Sequence, residues 1–228
     1  MSAVIAQRSS NSMCRMVLSD DGGVSDCVVL CDGSLPGLVA LAIEAERAES
    51  APLVIAGNPI GGVSSADTQA AREAVRAQAE VYNAPMIDGA YLLGGPASHD
   101  QSPAILASAR ITATVGRRRL VWGIQFPYLG SEPDLDAIAT TVDRTMLIAR
   151  LASLDLWDDP DAKVPEVLIE TPLIDLSDEQ VADLASDLSV PWQTVWWLGA
   201  PGEQAREDRS RWESVCEHFG LVVPAAAA

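Results

Sequence analysis

The chain has 228 residues and a mass of 24.1 kDa, enough for one α/β domain and too little for two domains with separate cores. Apolar residues make up 48% and charged residues 21%, a globular composition that excludes a disordered chain, and no apolar run is long enough to span a bilayer. The net charge of -17, with Lys163 as the only lysine, disfavours binding to nucleic acid or to an anionic membrane.

The first 25 residues differ in character from the rest. They are polar and serine-rich and include the run Asp20-Asp21-Gly22-Gly23, so we predict a flexible arm over residues 1–25 and a single domain over 26–228. The four cysteines have no metal-binding or disulfide-scaffold spacing and are Cys14, Cys27, Cys31 and Cys216. This pattern predicts reduced thiols and a cytoplasmic protein.

Five short apolar runs have no polar alternation, as expected of strands buried on both faces. They are Cys27–Leu30, Leu53–Ala56, Pro85–Ile87, Leu120–Ile124 and Val167–Ile169. Helical patterns separate them, so the sequence predicts a Rossmann-like, doubly wound parallel sheet of about five strands.

The helices between the strands are indicated by caps and by apolar spacing. A capping box at Ser177 precedes one helix, Ser102-Pro103 marks the start of another, and the last helix is predicted over Glu203 to Phe219. A further helix has one apolar stripe, which we expect to cover a face of the sheet: Leu135, Ile138, Ala139, Val142, Met146 and Ala149. Arg117–Arg119 are interpreted as cations at a helix C-terminus, and His99 and His218 as surface residues.

The turn after the first strand is the first place to look for a ligand site. Ligands of such sheets bind at the carboxyl ends of strands, where the strand order reverses. Here the strand leads through Cys31-Asp32-Gly33-Ser34 into a helix, a geometry that can hold phosphate on backbone N–H groups. An ordinary turn with Pro36 at the first helical position explains the same residues. Cys31 is a candidate nucleophile, although a small buried side chain explains it better.

Three stretches resemble a known family. Val28–Pro36 aligns with the strand and SGGxDS loop of the PP-loop, or N-type ATP pyrophosphatase, family. Glu170–Ser177 and Ser189–Trp196 resemble the "TPL" and "VP…TW" stretches of its 7-cyano-7-deazaguanine synthase branch. That branch makes the nitrile precursor of queuosine from 7-carboxy-7-deazaguanine, ATP and ammonia. The resemblance spans about residues 26–223 and implies an adenine nucleotide alpha hydrolase-like fold.

The loop departs from the family at the positions that bind the pyrophosphate end of ATP. The positions of the motif's serine, glycines, aspartate and final serine read Cys31, Asp32, Gly33, Leu35 and Pro36 here, so only one glycine is kept. Asp32 adds a repelling carboxylate, and Pro36 removes an N–H group. We therefore expect Cys31, Asp32, Gly33 and Ser34 to form a degenerate phosphate loop that does not bind ATP.

The zinc site that the resemblance implies is also changed. The nearest matching positions hold Leu198, Glu203, Arg206 and Arg209, and none of these is a thiolate or imidazole. We therefore expect no metal and no cofactor. Arg206 and Arg209 are expected to pair with Glu203, Glu207 or Glu213, while packing by Trp196, Trp197 and Trp212 replaces the metal.

The substrate loop of the family is kept in part. Within Gly123–Asp134, the resemblance assigns substrate binding to Gln125, Tyr128 and Asp134, with Gln125 and Tyr128 stacking on or hydrogen-bonding to a flat heterocycle. The catalytic residues of an ATP-dependent reaction are not recognised.

Three functions remain open from the sequence. The first is a noncatalytic binding or regulatory homologue of the synthases, whose partners would be a deazapurine-like ligand, a second copy in a homodimer or an intact paralogue. The second is a working ATP-dependent synthase or ligase with altered nucleotide binding. The third is an interaction subunit that exposes the tryptophan-rich segment Trp192–Trp197 to a partner.

Overall fold

The structure is a computed structural model that describes residues 25–47, 50–59, 65–87, 92–94, 98–126, 132–157 and 166–219. Residues 1–24 of the predicted arm, which include Cys14, lie outside these residues, as do Tyr128, Lys163 and the side chains of His99, His218 and Phe219. The domain boundaries therefore stay predictions.

The described strands form one parallel sheet with helices on both faces. The strands are β1 (Cys27–Cys31), β2 (Leu53–Asn58), β3 (Leu92–Leu93), β4 (Arg119–Trp122) and β5 (Leu168–Glu170), in the order β3-β2-β1-β4-β5. In the central register, Val29 of β1 lies between Val54 and Val121. The predicted α/β class and the parallel, Rossmann-like sheet are confirmed.

The strand nearest the β3 edge differs from the prediction. Four strands have three to six residues, whereas β3 has only two. The predicted strand Pro85–Ile87 is reduced to a single parallel bridge between Met86 and Val54, and β3 follows at Leu92. An apolar triplet is too short to define a strand by its pattern alone, which explains the error.

Seven helices are described. They are α1 (Leu35–Arg47), α2 (Ser65–Val81), α3 (Ser98–Thr114), α4 (Leu135–Trp157), α5 (Asp178–Asp187), α6 (Trp196–Gly199) and α7 (Glu203–Phe219), with a 3-10 turn at Trp192–Thr194. Among them, none combines the length and the apolar composition that a membrane crossing requires. The predicted bounds of the last helix and the capping box of α5 are confirmed, since Ser177 and Gln180 exchange side chain-to-backbone bonds.

The core consists of two apolar clusters, one on each face of the sheet. All five residues of β1 are buried, and alternate side chains enter opposite clusters. Val29 packs with α1, α2 and the α5–α7 region, while Val28 and Leu30 pack with α3 and α4. The central strand therefore joins both halves of the molecule.

Two helices depart from the predicted pattern. Helix α3 begins at Ser98, so Pro103 lies inside it rather than at its start, and only one backbone N–H bond of the second turn is lost. Helix α4 buries Thr141, Thr145, Ile148 and Ala152. Its buried face is rotated by about a quarter turn from the predicted stripe. Thr145 can be buried on this face because its hydroxyl donates a hydrogen bond to the Val142 carbonyl within the helix.

An ion triad holds β4 and β5 to the end of α1. The Arg119 guanidinium donates to both oxygens of Glu44, at 2.9 and 3.0 Å, and to both oxygens of Glu170, at 2.8 and 2.6 Å. These hydrogen bonds raise the pKa of Arg119 and lower the pKa of Glu170. The interpretation of Arg119 as a helix cap is therefore wrong, because Arg119 belongs to β4.

We predict that Arg119→Met lowers the free energy of unfolding by about 2–4 kcal/mol, since the side chain of Glu44 is only 4% exposed and would lose its main counter-charge. Urea unfolding monitored by circular dichroism measures this change. The neighbouring exposed Arg118→Met is the matched control and is expected to change stability by less than about 0.5 kcal/mol. Adding Glu44→Gln to Arg119→Met should recover part of the loss, and equal effects of the two arginine variants would contradict the triad's role.

Candidate functional site

A cavity lies at the point where the strand order reverses. Strands β1 and β4 are neighbours, β2 and β3 extend the sheet on one side, and β5 extends it on the other. The crevice beyond the carboxyl ends of β1 and β4 is the usual ligand position in such sheets. It contains a cavity of about 230 Å³, here called the switch-point cavity, whose walls include Asp32, Asn58, Trp122, Gln125, Trp196, Gln204, Asp208, Arg211 and Trp212.

The turn after β1 forms one wall of the switch-point cavity. Ser34 caps α1, because its hydroxyl accepts the Gly37 N–H at 3.2 Å. The Ser34 N–H in turn donates to Asp32 Oδ1 at 2.9 Å. Helix α1 begins at Leu35, so Pro36 is its second residue rather than its first, a position where proline is still tolerated.

The Asp32 carboxylate occupies the place that an anion would take at the start of α1. Its Oδ1 lies 2.8 Å from where a Cβ on Gly37 would be, so the oxygen rests directly against the first turn of the helix. The positive end of a helix dipole favours a negative group there. In this loop the chain itself supplies the anion.

Gly33 holds the turn against α2 and the C-terminal segment. Its φ is +85°, and a Cβ would come within 2.9 Å of the Ala71 carbonyl oxygen. Its own carbonyl accepts hydrogen bonds from the backbone N–H of Trp196 and from Gln78 Nε2, both at 3.0 Å. Gly33 is therefore required by packing.

Cys31 is fully buried at the end of β1. Burial raises the pKa of its thiol well above the ordinary value, and the neighbouring Asp32 raises the pKa further. A thiol that stays protonated is a poor nucleophile. The interpretation of Cys31 as a small buried side chain is supported, and Cys31 and Gly33 shape the turn from behind while Asp32 and Ser34 face the cavity.

A polar network under the cavity joins α5, α7 and the end of β4. Gln125 Nε2 donates to Asp178 Oδ1 at 2.8 Å and to the Leu176 carbonyl at 3.0 Å. Arg211 donates from Nε to Asp178 Oδ2 at 2.8 Å and from a terminal nitrogen to Asp178 Oδ1 at 2.6 Å, and it also donates to Gln125 Oε1. The Arg211 guanidinium lies 4.6 Å from the Trp212 ring centroid, within cation–π distance.

Sequence reasoning did not single out this network. Asp178 is the residue after the α5 cap, where an exposed acidic side chain at a helix start would be ordinary, yet it is buried. Arg211 is one charge among many on α7. The sequence offers one weak signal: a single glutamine, Gln125, follows β4, and Arg211 stands next to Trp212 on the last helix. This signal is too weak to predict that the two side chains are in contact.

The predicted substrate residues have separate positions. Gln125 lines the cavity, but both ends of its amide bind protein groups, so its contact with a ligand stays a prediction. Asp134 is exposed and caps α4 through a 3.0 Å bond from the Ala137 N–H. The structure thus gives Asp134 a helix-capping role, and Tyr128 lies outside the described residues.

Asp208 on α7 is a second carboxylate in the cavity wall. Burial raises the pKa of its carboxyl to about 6; the Arg211 charge lowers this pKa, and the Asp32 charge raises it. Burial likewise raises the pKa of Asp32, against the hydrogen bonds from Ser34. The cavity therefore places two carboxylates near each other, and Arg211, a cation in the same wall, is bound by Asp178.

Hydrogen bonds hold α6 and α7 together in the region where the synthases that the sequence resembles bind zinc. Arg209 donates to the Trp197 and Leu198 carbonyls at 2.7 and 2.9 Å, which fixes α6 to α7. The expected pairing of Arg209 with a glutamate is therefore wrong. Leu198, Glu203, Arg206 and Arg209 do not fit zinc, and within the described ranges no three His, Cys, Asp or Glu residues lie together as a metal site.

The tryptophan-rich segment faces inward. Trp196 and Trp197 are 6% and 0% exposed, and Trp212 is 1% exposed. Trp192 is partly buried and contacts Trp212 edge to face, with ring centroids 6.4 Å apart. The prediction of packing by Trp196, Trp197 and Trp212 is confirmed, and the hypothesis of an exposed tryptophan surface is wrong for Trp196 and Trp197.

Comparisons with known proteins do not assign a family. No family model matches the chain, and no curated protein matches it. A U34-tRNA thiolase from Methanococcus maripaludis, solved with its 4Fe–4S cluster, is similar in structure at 12% sequence identity and a TM-score of 0.48. The alignment covers 88% of this chain and 76% of the thiolase.

We predict that Gly33→Ala destabilises the protein by about 2–4 kcal/mol, because alanine disfavours φ +85° and its Cβ would overlap the Ala71 carbonyl. Gly116→Ala is the matched control, since Gly116 has φ +78° but nothing lies within 4 Å of the place its Cβ would take. The control should cost only about 1 kcal/mol of backbone strain. Thermal and urea unfolding compare the two, and equal losses would contradict the packing role.

We predict that Asp208→Asn stabilises the protein at pH 7 by about 1–3 kcal/mol and that this gain disappears near pH 4. The carboxyl has a pKa of about 6 when folded and an ordinary value of 3.8, so folding disfavours its charged form. The loss of stability caused by the charged Asp208 is therefore complete above about pH 6 and absent below the ordinary pKa of 3.8. Urea unfolding at several pH values measures the gain in stability, and the exposed Asp183→Asn is the control. A gain that does not change with pH would contradict the raised pKa of Asp208.

Proposed function

We propose that the chain is a noncatalytic ligand-binding protein built on the PP-loop, adenine nucleotide alpha hydrolase-like version of the α/β fold. We further propose that it is a homologue of the 7-cyano-7-deazaguanine synthases that has lost ATP binding. The observation that carries the proposal is the Asp32 carboxylate, which accepts the Ser34 N–H and rests against Gly37 at the start of α1.

The donor groups at the start of α1 support the loss of ATP. The Ser34 N–H is taken by Asp32, the Gly37 N–H by the Ser34 hydroxyl, and Pro36 has no N–H group. A triphosphate would also meet the Asp32 and Asp208 carboxylates, and one like-charge contact at about 4 Å costs on the order of 4 kcal/mol at an effective dielectric of 20.

The location of the family-like stretches supports the synthase branch. The Leu176 carbonyl, at the end of the "TPL" stretch, holds Gln125 in the cavity wall. Trp196, at the end of the "VP…TW" stretch, lines the same cavity. The segments that carry the resemblance therefore border the switch-point cavity.

The chemistry of the switch-point cavity supports a small planar ligand rich in N–H groups. Trp122, Trp196 and Trp212 supply aromatic walls, and Asp32, Asp208 and Gln204 supply acceptors. A volume of about 230 Å³ lies below the usual range of about 300–1,000 Å³ for drug-sized ligands. A deazapurine base, with ring N–H and amino donors and no phosphate, fits these requirements.

We predict that ATP with magnesium gives no binding heat up to about 1 mM in isothermal titration, which corresponds to less than about 4 kcal/mol of binding free energy. Under the same conditions, 7-cyano-7-deazaguanine should change the tryptophan fluorescence saturably, because tryptophans line the cavity. Asp208→Asn should weaken this binding, since it replaces a charged acceptor with a neutral amide.

The loop itself is tested by substitution at Asp32. Asp32→Gly removes the carboxylate and releases the Ser34 N–H, so it should raise the affinity for ATP or pyrophosphate relative to the unaltered protein. Asp183→Asn removes one charge from an exposed position and should change nothing. Pyrophosphate release from ATP with 7-carboxy-7-deazaguanine and ammonia, abolished by Asp32→Asn, would instead establish the working synthase or ligase.

A further inference from the structure

The exposed apolar side chains concentrate on one helix. Among the described residues, eight large apolar side chains are exposed, and six of them belong to α4: Leu135, Met146, Leu147, Leu151, Leu154 and Trp157. Leu147 and Trp157 are 72% and 74% exposed. Single exposed apolar residues are ordinary, but a concentration of this kind marks an interaction surface.

Helical geometry places most of these residues on one face. At 100° per residue, one arc of about 100° contains Asp143, Met146, Leu147, Arg150, Leu154 and Trp157, which we call the α4 outer face. The buried residues Thr141, Thr145 and Ile148 lie on the other side of the helix. Steps of three and four residues along this face are typical of helix-to-helix packing.

We propose that the α4 outer face is the interface of an antiparallel homodimer of this chain, with the twofold axis between Met146 and Leu147. This axis sets Met146 opposite Leu147 of the second copy and Ala139 opposite its Leu154. Small and large side chains then face each other along a helix about 35 Å long. The interface is isologous, because each copy contributes the same surface.

Charge complementarity selects a second copy as the partner and selects the antiparallel direction. The same axis sets Asp143 of each copy opposite Arg150 of the other, which gives two reciprocal ion pairs. A parallel pair would instead set Asp143 against Asp143 and Arg150 against Arg150. Both residues are exposed, and they are the charged positions in the middle of the α4 outer face.

The charge of the whole chain supports the same choice. With a net charge of -17, two copies repel each other over most orientations. The middle of the α4 outer face carries one acidic and one basic residue, so it is nearly neutral. Two copies can therefore approach there with little repulsion, and apolar contact between the leucines can stabilise them.

The test is sedimentation equilibrium of the full chain, which we expect to give the mass of a dimer. Leu147→Glu should convert the protein to a monomer, because it places two carboxylates at the axis. Val81→Glu is the matched control, since Val81 is also exposed, at 51%, but lies on α2. Circular dichroism melting of each variant checks that folding is kept.

A charge swap tests the register. Asp143→Arg alone and Arg150→Asp alone should each raise the dimer dissociation constant about tenfold or more, because like charges then face each other. The double variant Asp143→Arg/Arg150→Asp should restore the constant to within about threefold. A monomer at about 100 µM, a dimer that tolerates Leu147→Glu, or a double variant without recovery would each overturn the proposal. A chain that stays monomeric until residues 1–24 are removed would also overturn it, because that segment and not a second copy would then cover the α4 outer face.

Discussion

The Gly33 carbonyl is the point on which the rest of the structure depends. It accepts one hydrogen bond from the backbone of Trp196 and one from the buried side chain of Gln78. Gln78 also donates to the Thr194 carbonyl at 3.2 Å. A single turn after the central strand is thereby joined to α2, to the 3-10 turn and to α6. Since Asp32, Ser34 and Trp196 line the switch-point cavity beside this junction, the position of Gly33 helps to set the shape of the site.

The electrostatics of the site follow from a second constraint, the placement of carboxylates at helix ends. Asp32 sits at the start of α1 and Asp178 near the start of α5, and both are held by hydrogen bonds. Asp178 is neutralised by the two-pronged contact with Arg211, whereas Asp32 faces Asp208 across the cavity. Carboxylates in the wall of the cavity can accept hydrogen bonds from N–H groups.

The sequence predicts the parts of this structure that depend on local signals. The buried strands β1, β2 and β4, the capping box at Ser177 and the apolar spacing of α7 are all read within a short window, and they are confirmed. The errors arise where packing decides. The buried face of α4 is set by contact with α3 and by threonine hydroxyls that bond within the helix, and neither is visible in an apolar stripe. The two-residue β3 likewise depends on its pairing with β2.

The candidate site is harder to predict than the fold because its residues come from four separate places in the chain. Asp32, Gln125, Asp178, Asp208 and Arg211 are brought together by the strand order and by α7 folding back over the sheet. The loop at Asp32 could be found because it departs from a recognisable motif. Arg211 and Asp208 belong to a helix whose sequence is mostly charged, so nothing local separates them from solvated neighbours. Arg209 ties α7 to α6 through backbone carbonyls, and Arg211 ties α7 to α5 through Asp178, so these two side chains hold the helix where its acidic face closes the cavity. An arginine at a position where the resembled family has a zinc ligand therefore contributes to the site by fixing a helix.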